Sequence, residues 1–273
     1  MSKTILPKSL PPLSCHAFED LKSKLDFALI KKYTAQDFKK MFTERLQQCS
    51  HSKIIGLENF PEQEIMSGCQ HFIDNLIWRY GIENIQTFEH DYHYYHKINP
   101  NIKYATIDTL DKDKPLILAS PFPGHLDTHR DFEKIIKKCE DVGVKVYIDG
   151  AWFPSSFDLV LNLSSPVIQE VGFSCSKAYD MSDNRIGIRY SKNLKANDSI
   201  NYMNTRQMYS KVCLQIACIH LENFQYDHLV SVYKENYFLK CKELKLRPSK
   251  IIHAVFSLDW QNLYGIKQVL KKL

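Results

Sequence analysis

Between residues 35 and 46 the apolar side chains Phe38, Met41, Phe42 and Leu46 recur at three- and four-residue spacing, which predicts one face of a helix. The stretch before them is polar, with Pro7, Pro11 and Pro12, and reads as an arm. From Glu64 to about Tyr190 short apolar runs alternate with helical stripes. They are the stripe Phe72, Ile73, Leu76, Ile77 and Tyr80, then PLILAS, FEKIIKKCEDVG, VKVYID and VIQEVGFS. Strand and helix in alternation predict a mostly parallel sheet covered on both faces, a three-layer α/β arrangement. The remainder carries a long helical pattern from Met208 to Leu244, a strand-like IIHAVFSL and a terminal helix. The expected organisation is an N-terminal arm and helix over 1–60, a large α/β domain over 61–195 and a reduced α+β small domain over 196–273, with the first segment joining the small lobe.

Composition narrows the class. With 273 residues, 44% of them hydrophobic, the chain can bury one sizeable core and a smaller lobe. A formal charge of +5 with lysines scattered rather than blocked does not imply nucleic acid. Eight cysteines without a C-x-x-C pair, and a start without the apolar run of a signal peptide, predict reduced thiols in a cytoplasmic protein. No window approaches the roughly 20 apolar residues of a membrane span.

In such sheets reactive groups gather outside the carboxyl ends of the strands. Ser120, Asp149 and Ser174 each close an apolar run, so the three can converge although they are far apart in sequence. Lys177 follows the VIQEVGF run, flanked by Ser174 and Ser176, with Arg185 eight positions on. A lysine there is by default an exposed, unreactive charge. Hydroxyls and an arginine beside it suit a ligand with an aldehyde to trap and a phosphate to anchor. Asp149 reads either as a helix cap or salt-bridge partner, or as the counter-charge of a protonated ring nitrogen, and separates only when taken with Lys177. Ser67-Gly68-Cys69 before the helical stripe offers backbone N–H groups to an anion, a weak signal alone. The run HDYHYYH, residues 90–96, tempts a metal reading, but alternation along an edge strand explains it and no acidic or cysteine partner sits at ligand spacing. No G-x-S-x-G, G-x-G-x-x-G or Walker loop occurs.

In order, these blocks resemble the fold type I, aspartate aminotransferase-like superfamily of pyridoxal phosphate enzymes, over about half of the chain. MSGCQHFIDNLI resembles the turn and helix that hold the cofactor phosphate, with Gly68 and Cys69 as backbone donors. HDYHYY resembles the segment whose first aromatic, Tyr92, stacks on the pyridine ring, and VYIDGAW the strand whose aspartate, Asp149, meets the ring nitrogen. SCSKAYDMSDNRIGI resembles the Schiff-base block. It implies Lys177 as the imine lysine, Ser174 as a phosphate hydroxyl and Arg185 as the phosphate arginine. KKYTAQDF supplies Tyr33 where a tyrosine reaches the phosphate of the neighbouring subunit, so the resemblance also implies a homodimer.

The chain departs from the family pattern at three places. Where the family has asparagine at the phenolic oxygen, this chain has Pro121 or, one residue earlier, Ser120; where it has a tyrosine three residues after the aspartate, this chain has Trp152, whose indole N–H can donate. IIHAVFSLDWQNL lacks the arginine that clamps a substrate carboxylate, leaving Arg189 and Arg247 as substitutes. The resemblance implies a pyridoxal phosphate enzyme that acts on an amino acid or amine through an internal aldimine on Lys177, an aminotransferase first. Decarboxylation, elimination, racemisation or condensation on the same cofactor, and a non-catalytic binding module, are the alternatives.

Overall fold

Leu116–Ala119 and Val146–Asp149 are buried at every position, the pattern of strands covered on both faces. The computed structural model describes residues 13–24, 32–193, 198–258 and 263–265; the first twelve residues of the predicted arm and the terminal helix fall outside them. Helices α1 (His16–Ser23) and α2 (Ala35–Gln47) come first, then strands β1 (Ser52–Ile55) and β2 (Glu62–Met66). The central stretch runs α3 (Gly68–Tyr80), α4 (Tyr94–Ile98), β3 (Leu116–Ala119), α5 (Phe132–Val142), β4 (Val146–Asp149), β5 (Leu159–Asn162), β6 (Ile168–Ser174), α6 (Cys175–Ala178) and β7 (Gly187–Ser191). After it come α7 (Ser199–Thr205), α8 (Lys211–Asn223), α9 (His228–Glu243), β8 (Arg247–Pro248), β9 (Ala254–Phe256) and β10 (Leu263–Gly265).

The main sheet has the order β2-β7-β6-β4-β3. Neighbours β3, β4 and β6 are parallel, while β7 is antiparallel to both β6 and β2. Four of the five strands therefore run the same way, as the apolar runs predict, and β7 alone is reversed. Alternate residues feed two cores: Leu116, Leu118, Val146 and Ile148 pack with Phe38, Phe42 and Leu46 of α2, whereas Ile117 and Tyr147 pack with Phe72, Ile73 and Leu76 of α3. This is the helix–sheet–helix layering expected from the sequence. A β8-β9-β10 antiparallel sheet and a parallel β1-β5 pair complete the framework.

Local chemistry sets the element ends. Thr34 accepts the Asp37 amide at 3.2 Å and Asp37 accepts the Thr34 amide at 2.8 Å, a capping box that starts α2. The long helical pattern from Met208 to Leu244 is two helices. Phe224 adopts an extended backbone, and Asp227 is drawn off by the amides of Ser50 and His51, at 2.7 and 2.9 Å. Of IIHAVFSL only Ala254–Phe256 is a strand.

Strands β2 and β7 carry charge into the interior. Arg189 is fully buried and pairs with Glu64, with Asp198 at 2.6 Å and with Glu170 at 3.5 Å. Arg79 of α3 grips both oxygens of Glu170, at 2.7 and 2.9 Å. Arg189 is thus committed to holding β7 against β2, β6 and α7. That removes it as a substitute clamp for a substrate carboxylate.

Candidate active site

The directions of the strands bring four chain segments to one edge. Strands β2, β4 and β6 end there with Met66, Asp149 and Ser174, and the reversed β7 begins there with Gly187, opposite both Ser174 and Met66. Asp149 faces Ala119 of β3 and Gly172 of β6, and the Ser120 amide donates to the Asp149 carbonyl at 2.9 Å. The run-ending residues Ser120, Asp149 and Ser174 do converge.

Gly68 opens α3 with φ +75, a left-handed conformation that favours glycine. A Cβ placed on it would lie 3.6 Å from Ser176 Oγ, 3.8 Å from Arg185 Cβ and 3.9 Å from Ser174 Cβ. Three of the predicted phosphate residues therefore meet with Ser176 around one turn at a helix start, where the first backbone N–H groups have no partner within the helix. Arg185 is exposed, with its Nε donating to the Ser182 carbonyl at 3.1 Å. Ser174 is buried, and its carbonyl accepts Tyr226 Oη at 2.8 Å.

Asp149 is buried. Burial pushes its carboxyl up to about 6, against the opposing pull of the Ala151 amide, 3.0 Å from Oδ1, and of the Cys69 thiol. Burial, with the charge of Asp149 behind it, pushes the Cys69 thiol well above its ordinary value, so Cys69 stays protonated; its Sγ donates to Gly172 O at 3.4 Å. Lys177 is half-buried on α6, its Nζ over the Trp152 ring at 4.6 Å from the centroid. Ser120 Oγ is buried without a hydrogen-bond partner among the described residues, as a hydroxyl reserved for a ligand would be.

HDYHYYH is not an edge strand. Asp91 is buried and accepts the Tyr92 amide at 2.6 Å and the Ala119 amide at 3.1 Å, which folds the segment into a turn, and Tyr94–Ile98 form α4. Tyr92 sits close enough to Asp149, Arg185 and Cys69 for their charges to act on its hydroxyl, and Tyr92 Oη donates to Gln70 at 3.2 Å. Asp91 gives no signal in the sequence, because an aspartate in a polar, aromatic run does not announce burial; only its two backbone donors reveal it.

Tyr33 is not brought to this edge within the chain: its backbone exchanges hydrogen bonds with Gln215 of α8, at 2.9 and 2.7 Å. Arg247 lies exposed on β8.

No family model matches the chain, and no curated protein matches it in sequence. Solved structures do match. The aspartate aminotransferase of Rhizobium meliloti superposes with a TM-score of 0.64 at 13% identity, covering 93% of this chain and 74% of that one. The chain has the aminotransferase fold. A Thermus thermophilus aspartate aminotransferase variant gives 0.64 at 12% identity over 91% and 81% of the two chains. The aminotransferase fold also extends to a pyridoxal phosphate-bound C-S lyase from Staphylococcus hominis, at 0.64 and 10% identity over 94% and 76%.

The residues present fit a pyridoxal phosphate group. A glycine cradle lined by two serines and an arginine suits a phosphate. A buried carboxyl, whose charge burial disfavours until a cation neutralises it, suits a cationic ring nitrogen, and the orphaned Ser120 hydroxyl suits a further polar atom of the ring.

Proposed function

We propose that the protein is a pyridoxal phosphate-dependent enzyme acting on an amino acid or amine, with aminotransfer as its reaction. The carrying observation is the meeting of Lys177, a buried Asp149 and the Gly68 turn with Ser174 and Arg185 at one sheet edge. When bound, the cofactor supplies an aldehyde for an amine to trap and a ring that takes up electrons released at the substrate α-carbon. Lys177 would be the amine that holds it and would move a proton to and from the substrate α-carbon. Asp149 would hold a proton on the ring nitrogen, Tyr92 would stack on the ring, and Gly68, Cys69, Ser174 and Arg185 would hold the phosphate. Trp152 stands at the family's tyrosine position beside Lys177. Tyr33 would serve the phosphate of a second subunit in a homodimer, so cofactor retention should weaken with dissociation.

The test is an absorbance spectrum with added pyridoxal phosphate. A visible band that is lost in Lys177→Ala supports the reading; a protein that takes up no cofactor overturns it. A second reading, elimination, draws on the lyase among the equally similar structures. Amino acids converted to keto acids, with pyridoxamine phosphate left on the protein, mean aminotransfer; released ammonia means elimination.

A further inference from the structure

Trp152 touches Lys177 on one side and the C-terminal segment on the other. Its ring meets His253 edge-on, with centroids 5.3 Å apart and planes at 78°, and packs on Leu126, Ile251, Ala254 and Phe256. Its carbonyl accepts the Ser155 amide at 3.1 Å and the Ser155 hydroxyl at 3.0 Å, and the Ser155 carbonyl in turn accepts the Ile252 amide at 3.1 Å. His253 is buried, and its Nε2 accepts the Leu13 amide at 3.0 Å. An amide can donate only to an unprotonated nitrogen, so the ring proton is on Nδ1 and the imidazole is neutral. A neutral His253 adds no second positive charge beside the Lys177 ammonium.

We propose that Trp152 is a positioning residue for Lys177, holding its ammonium over the indole face, and that His253, locked by the Leu13 amide, fixes the plane of that face. The proposal rests on Lys177 being the reactive amine of the site and deepens that role. The quadrupole of an indole face favours a cation over a neutral amine, so the contact both places Nζ and keeps its proton. The chain thereby ties its N-terminal segment to its reactive lysine through two side chains, His253 and Trp152. Ionisable groups at this edge among the described residues include Asp149, Asp91, Cys69, Tyr92 and Arg185, with His125 and the Lys250–Asp127 pair, 3.1 Å apart, on the neighbouring segments. They are unchanged in Trp152 and His253 variants, so differences between those variants isolate the ring.

The test is the pH dependence of Lys177 acetylation in the full-length, cofactor-free protein, read by mass spectrometry against other lysines of the same chain. Trp152→Leu should lower the Lys177 midpoint by about half a pH unit, the change expected for a cation–π contact at a partly exposed site. Trp152→Phe, which keeps a ring, should move it less, and His253→Ala should fall between them. An unchanged midpoint in Trp152→Leu, or an equal change in both Trp152 variants, overturns the proposal. If Trp152→Leu fails to fold, Trp152→Phe and His253→Ala decide by the same midpoint, and no movement in His253→Ala removes its part. The measurement contains no pyridoxal phosphate, so a protein that moves as expected but takes up no cofactor keeps the Trp152 contact and refutes only the cofactor reading.

Discussion

Asp91 accepts the backbone amide of Ala119 at 3.1 Å, joining the turn that carries Tyr92 to the last residue of β3. The same carboxyl takes the Tyr92 amide at 2.6 Å, so one buried side chain sets both the strand end and the aromatic ring beside Asp149. Asp91→Ala leaves two buried N–H groups without an acceptor and should cost about 2 kcal/mol of stability. Asp91→Asn keeps an acceptor oxygen and should cost less. Urea unfolding orders the three proteins. Fluorescence titration with pyridoxal phosphate should show affinity falling in the same order, because Tyr92 loosens.

Burial raises two carboxyls at this edge, Asp149 from 3.8 to about 6 and Asp91 from 3.8 to about 7. In each case the native state holds a proton that the unfolded chain has released. The stabilising contribution is therefore full below about pH 4 and is lost as pH rises, through 6 for Asp149 and through 7 for Asp91. Asp149→Asn removes its share, about 3 kcal/mol when integrated over that window. The melting temperature of cofactor-free Asp149→Asn should gain on the parent between pH 4 and 7. Saturating pyridoxal phosphate should reverse the advantage at pH 8, since only the aspartate can pair with a protonated ring nitrogen. Parallel melting curves across the range would show that Asp149 is not the titrating group.

Arg189 occupies an interior position with three carboxylates around it, and removing it strands them. Arg189→Met should cost about 4 kcal/mol, the scale for breaking a buried ion pair by deleting one partner. Arg189→Lys should also destabilise, because a single ammonium cannot reproduce a guanidinium that reaches Glu64, Glu170 and Asp198 on different strands and a helix. Chemical denaturation checks both. An Arg189→Lys protein that unfolds like the parent but loses affinity for acidic substrates would return this residue to substrate binding.

The same network explains what could be read from the sequence. Strands β3 and β4 were legible because their buried positions are almost all apolar on both faces, and β6 was legible through Ile168, Val171 and Phe173 although it also buries Glu170. Strands β2 and β7 were not, because Glu64 and Arg189 sit where a strand pattern would call for apolar side chains, and their charges cancel only across the sheet. HDYHYYH carried period-two polarity but folds as a turn and helix, since Asp91 finds backbone donors that no local pattern announces. The break between α8 and α9 was hidden for the same reason, as Asp227 is held by Ser50 and His51 from a distant part of the chain. At the candidate site the edge could be foreseen, because residues that close apolar runs of parallel strands come out together. The contributions of Asp91, His253 and Tyr226 could not, as each depends on one tertiary hydrogen bond.

Gly187 begins β7 at the centre of the edge, and its lack of a side chain is a packing requirement. A Cβ there would lie 2.2 Å from the Phe173 carbonyl oxygen and 2.9 Å from Ser174 Cα, both backbone atoms that cannot rotate away. Gly187→Ala must therefore shift the β6–β7 pairing where Ser174 and Arg185 converge. A cost of about 3 kcal/mol is expected, at the upper end for overpacking. Gly143 is the control, since it caps α5 with φ +86 and a Cβ there meets nothing within 4 Å. Gly143→Ala carries only the left-handed backbone penalty of about 1 kcal/mol. Thermal unfolding should thus separate the two alanine variants clearly, and pyridoxal phosphate affinity should fall only in Gly187→Ala. Equal melting temperatures in the two would mean that β6 and β7 can slide apart at this edge without loss.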